Sequence, residues 1–71
     1  CPVALAIRRV CKRGTVVTVL APYAAIDRGE RSKSIRLPTR VVRFIFEFDG
    51  GSKPKGLTFT LNIPAWARRA A

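Results

Sequence analysis

The sequence predicts a small all-β fold: an antiparallel meander or partly open barrel of about four strands, closed by a short C-terminal tail or helical turn. Three observations predict it. Two segments alternate apolar and polar residues with a period of two, a third is a β-branched run, and the stretches between them are rich in Gly, Pro, Ser and charge. With 71 residues there is room for a single basic domain, 1–71, and for no second core.

The clearest alternation covers 41–48. Val42, Phe44, Phe46 and Phe48 point one way, and Val41, Arg43, Ile45 and Glu47 point the other. The second covers 57–63, with Leu57, Phe59, Leu61 and Ile63 on one face and Thr58, Thr60 and Asn62 opposite. Asp49–Gly56 separates them with three glycines and a proline, which predicts a hairpin. Pairing Phe48 with Leu57 sets Phe46 opposite Phe59, Phe44 opposite Leu61 and Val42 opposite Ile63. A slip of one residue would turn that apolar face to water, so the register is expected to be unique, with Phe46 at its centre.

Thr15–Leu20 is a strand on its β-branched content, and Lys12-Arg13-Gly14 is the turn before it. Residues 2–11 fit two descriptions. Leu5, Ile7, Arg9 and Cys11 alternate with their neighbours as in a strand, whereas Pro2 would suit the first turn of a short helix. The strand is favoured. Pro22, Gly29 and Pro38 break the pattern over about 22–39, which is expected to be a long basic loop. About 64–71 forms the tail. An extended 1–11 would separate Cys1 from Cys11 by roughly 33 Å, against the under-7 Å Cα spacing of a disulfide, so no bond is expected between them.

Chemistry is bounded by what is missing. The chain has no histidine, four carboxylates (Asp27, Glu30, Glu47 and Asp49), no CxxC and no Gly-rich phosphate loop. Neither cysteine has a histidine to activate it. No enzyme, metal site, cofactor or small-molecule substrate is expected.

Charge is the informative property. Fourteen Lys and Arg against four acids leave +10, and ten of the cations are arginine, whose planar fork grips phosphate or carboxylate with two parallel bonds. A compact state so charged repels itself and is eased by a polyanion or an acidic surface. The densest run holds Arg28, Arg31, Lys33, Arg36, Arg40 and Arg43, with Ser32 and Ser34 as added hydroxyl donors. Arg8, Arg9, Lys12 and Arg13 form a second cluster, and Lys53 and Lys55 lie at the tip of the expected hairpin. These twelve are the candidate nucleic-acid contacts, to DNA or RNA, and three basic clusters would share one rim if both hairpin tips point the same way. Phe44, Phe46 and Phe48 are assigned to the core. Trp66 and Tyr23 are the candidate stacking or partner contacts.

Two functions follow. The first is a non-catalytic nucleic-acid-binding protein that grips the phosphate backbone through Arg/Lys loops. The second is a small structural or assembly subunit of a virion or large complex that binds acidic protein surfaces, with a protein partner or a homo-oligomer. No apolar run approaches the roughly 20 residues of a membrane span, so the expected location is cytoplasmic or virion-associated. The missing initiator methionine fits its removal before Cys1 or processing of a longer chain. Pro2–Ile7 is expected to be structure, not a secretory signal or the polar tether of a lipidated cysteine.

Overall fold

The chain opens in a helix, α1 (Pro2–Arg9), in place of the favoured strand. Pro2 sits in the first turn, where its missing N–H costs nothing, and Ala, Leu and Arg are strong helix formers. Val3 and Ile7, four apart, are buried on one stripe, and Cys11 continues it. Arg8 and Arg9 occupy the last turn, where cations suit the helix dipole. This computed structural model describes residues 1–70; Ala71, the end of the expected tail, lies outside the described residues.

Three antiparallel strands follow in the order β1 (Val16–Leu20), β2 (Tyr23–Arg28) and β3 (Arg31–Arg36). The strand expected at Thr15–Leu20 is present. The long loop expected over 22–39 is not: most of it is the β2–β3 hairpin. Arg28 pairs with Arg31, so only Gly29 and Glu30 make the turn. Of these two, Gly29 has the positive φ, +62°, as the first central residue of a tight hairpin turn requires. The β1–β2 turn is equally short, with Ala21 and a cis-linked Pro22 between paired Leu20 and Tyr23.

Register sorts the residues of the sheet. Val17, Val19, Ala24, Ile26 and Ile35 share one face and join the core, while Val16, Thr18, Leu20, Tyr23, Ala25, Ser34 and Arg36 share the other. That outer face is bare: Leu20 is 74% exposed, and Val16 and Tyr23 are exposed as well.

The segment expected as the central Phe-rich strand is a helix, α2 (Thr39–Asp49). Its ends are well signalled. Pro38 precedes it and cannot itself extend a helix N-terminally, and its carbonyl accepts from Val41 and Val42 at 3.0 and 3.1 Å. At the other end Gly51 is left-handed at φ +88°. Its N–H meets the Phe48 carbonyl at 3.2 Å while the Ser52 N–H reaches Glu47 at 3.0 Å, the paired bonds of a Schellman stop. The Gly50-Gly51 pair read as a hairpin turn is thus a helix cap.

Burial in α2 inverts the strand expectation. Val41 and Ile45, assigned outward, are 0% and 6% exposed, whereas Phe46, assigned to the centre of the core, is 65% exposed. Leu37, Val41 and Ile45 recur every four residues, and this stripe packs with Val3, Ile7, Ala24 and Ile26. Phe44 and Phe48, also four apart, stack at 6.4 Å between centroids. The proposed Phe48–Leu57 hairpin register therefore does not exist. Leu57–Ile63 belongs to no helix and pairs with no strand. The fold is mixed α/β, one open three-stranded sheet with two helices, and not a four-stranded all-β meander or barrel.

The tail is not loose. After a turn at Ala65–Ala67, Arg68 bridges Cys11 in antiparallel fashion: Lys12 N–H donates to Ala67 at 2.7 Å and Arg69 N–H to Val10 at 2.8 Å. Trp66, a candidate partner contact, is half-buried and packs against the core.

Truncating Ile45 to Ala is expected to cost about 2–4 kcal/mol, as for a buried Ile, and Phe46→Ala less than about 1 kcal/mol. Urea unfolding followed by Trp66 fluorescence measures both; a larger loss for Phe46 would restore the strand.

Candidate nucleic-acid interface

Each cation of the candidate set takes its place from the element that carries it. Arg8 and Arg9 end α1, and Lys12 and Arg13 lie in the turn that leads to β1, closed by Thr15 N–H to the Lys12 carbonyl at 3.2 Å. Val16 then pairs with Asp27, so this turn lies at the same end of the sheet as the Gly29-Glu30 turn. Arg28 and Arg31 stand directly opposite each other there, with Lys33 two residues further along the same face of β3. All seven side chains are exposed.

Arg68 and Arg69 were missed by the sequence reading, and the tail brings them to this end. The bridge from Cys11 to Arg68 sets both beside Val10 and Lys12. Nothing local in Ala65–Ala70 signals that position, because the two hydrogen bonds that make it span more than fifty residues of chain. Nine cations from four chain segments thus converge on one end of the sheet.

The remaining candidates are elsewhere. Arg36 ends β3 at the opposite end, about 17 Å from Arg31 along the strand. Its guanidinium lies over the Tyr23 ring, 5.7 Å from the centroid, and its Nη1 donates to the Tyr23 hydroxyl at 3.4 Å. Tyr23 is therefore engaged on the outer face by its cross-strand partner. Arg40 and Arg43 follow on α2, exposed. Lys53 and Lys55 lie on the linker after α2, next to Leu57, which contacts the space around Pro2 and Val3 at the start of α1. The central run of six thus splits three and three, and the expected third cluster is not on this rim.

Electrostatics make the basic end costly to hold. Like charges directly opposite across two strands destabilise the pair, and Arg28 faces Arg31 in that way. Asp27 and Glu30 are the acids of the hairpin, Asp27 on the other face and Glu30 in the turn. Such an arrangement can hold a chain of phosphates or carboxylates by bidentate arginine contacts from several directions. It contains no nucleophile with a base beside it. Among the described residues no group of three or more His, Cys, Asp or Glu is placed to hold a metal ion, and no helix is long and apolar enough to cross a membrane.

Both cysteines are free, Cys1 exposed at the start of α1 and Cys11 buried under the tail. Burial pushes the Cys11 thiol up, and the Arg69 guanidinium pulls it the other way. Comparison with protein-family models, curated proteins and solved structures finds no match to the chain.

Two outcomes test this geometry. Iodoacetamide at neutral pH is expected to label Cys1 alone in the native protein and both thiols in denaturant, read by mass; rapid double labelling would place Cys11 outside the core. Arg31→Glu turns the Arg28 cross-strand pair into an attractive one, and should raise stability by about 0.2–1 kcal/mol at low salt and less in 1 M NaCl. An unchanged melting temperature at low salt would mean that the two side chains do not face each other.

Proposed function

We propose that the chain is a non-catalytic nucleic-acid-binding module that grips the phosphate backbone with the basic end of its sheet. The observation that carries this reading is the convergence of Arg8, Arg9, Lys12, Arg13, Arg28, Arg31, Lys33, Arg68 and Arg69, exposed and from four segments, on one end of a sheet. Self-repulsion there is relieved when phosphates replace the counterions. Contacts of this kind, from arginine forks and lysine ammonium groups to phosphate oxygens, position a backbone and carry little sequence preference.

The second reading, an assembly subunit that meets acidic protein surfaces, is supported by a different feature, the unpaired segment 57–63 with its alternate side chains buried. Salt separates the two, since phosphate contacts weaken steeply with it and an apolar strand interface does not.

Fluorescence anisotropy with labelled single-stranded and duplex oligonucleotides tests the first reading. Replacing Arg28, Arg31 and Lys33 with Ala should weaken binding to every sequence alike and flatten the log–log salt slope by about one unit per lost phosphate contact. Replacing Arg36, at the opposite end of the sheet, together with Arg40 and Arg43 of α2 should change the slope far less. Equal losses from the two triples, or none from either, would overturn the assignment of this end.

A further inference from the structure

Leu57–Ile63 has the side-chain pattern of a strand and none of the pairing. Leu57, Phe59 and Leu61 are half-buried and Ile63 is buried, while Thr58, Thr60 and Asn62 are exposed. The sheet is complete without it. Among the described residues the one main-chain hydrogen bond within this segment is local, Ile63 N–H to the Leu61 carbonyl at 3.1 Å. Six consecutive residues, 57–62, therefore hold their amide N–H groups without a main-chain acceptor. A segment that buries alternate side chains and leaves its amides free offers a template for another strand.

Beside that edge runs an open groove of about 410 Å³. Ala6, Ile7 and Val10 of α1 and its following turn form one wall, Phe59 and Leu61 the other, and Arg68 belongs to the lining as well. The groove thus has an apolar floor, an unpaired backbone along one side and a cation that is part of the basic end.

We propose that this groove is a β-strand addition site for an extended, acidic peptide of a partner protein. The peptide main chain pairs with Leu57–Ile63, alternate apolar side chains enter the groove against Ile7 and Val10, and a carboxylate meets Arg68. Main-chain bonds supply affinity and the alternating pockets supply selectivity, as in other strand-addition interfaces. Charge selects the occupant. A second copy of this chain brings another +10 to the same place, whereas an acidic peptide is drawn to it. A phosphodiester strand has no apolar side chains with a period of two to fill the groove. The inference does not rest on the nucleic-acid reading, although the groove and the basic end share Arg68.

The test titrates the full chain with a short synthetic peptide in which valine and isoleucine alternate with glutamate and serine, followed by amide resonances and hydrogen exchange. Binding should slow exchange by at least about tenfold at every second amide of 57–63, because successive strand N–H groups point to opposite edges. Methylating the peptide nitrogens on its pairing edge should abolish binding, and Val10→Glu, at a half-exposed position, should weaken it about tenfold or more while the free protein keeps its melting temperature. If Val10→Glu does not fold, the methylated peptide decides alone. Failure of the peptide to bind, or equal binding of the methylated form, overturns the proposal. So does protection of the same amides by oligothymidylate, which would make the groove part of a nucleic-acid interface. A peptide-free dimer in sedimentation with these amides already protected would assign the edge to a second copy.

Discussion

Two main-chain hydrogen bonds, from Lys12 to Ala67 and from Arg69 to Val10, hold the end of this chain against its beginning, and much of the molecule depends on them. They seat Ala67, which is fully buried, and close the core over Cys11 and Ile63. They anchor the chain just after segment 57–63, which lines the groove together with α1. They also carry Arg68 and Arg69 to the basic end. Without this clasp the sheet and helices would retain their local patterns, but the site and the groove would not be assembled.

The clasp holds together charges that oppose it. A chain this short buries only about 60% of its unfolded surface, so its margin is narrow before electrostatics are counted. Placing nine cations at one end, with Arg28 directly opposite Arg31, subtracts from that margin. A ligand that neutralises them stabilises the folded chain by mass action, so binding and stability are linked through the same side chains. The apolar groove and the basic end share Arg68, which makes the two surfaces electrostatic neighbours without making them one site.

Several features were legible from residue order. The β-branched run at 15–20 is a strand, the net charge of +10 singles out the arginines, and the cations near Lys12 and near Arg28 lie at the same end of the sheet. The errors have local causes. Over 41–48 two periods coexist: alternate residues are apolar, and so are Leu37, Val41 and Ile45 at intervals of four. Valine and phenylalanine favour a strand on propensity, so the alternation was the more visible pattern, yet the helix buries the four-residue stripe and leaves Phe46 in water. The deciding signal was Gly50-Gly51 as a helix stop. In 23–36 the apolar members of the alternation are small or few, Ala24, Ile26 and Ile35, and the Gly29-Glu30 turn was hidden among charges, so a hairpin looked like a loop.

By itself the sequence determined the strong excess of cations, ten of them arginine, and the β-branched strand β1. Tertiary structure decided which of two periodicities 41–48 would follow, because helix and strand expose different residues and only the neighbouring Val3, Ile7 and Ile26 determine which set finds a core. It also decided which cations lie together. Arg28 and Arg36 are eight residues apart yet lie at opposite ends of the hairpin, while Arg13 and Arg68, fifty-five residues apart, meet at one. Strand register and long-range main-chain pairing set those distances, and neither is a function of spacing along the chain.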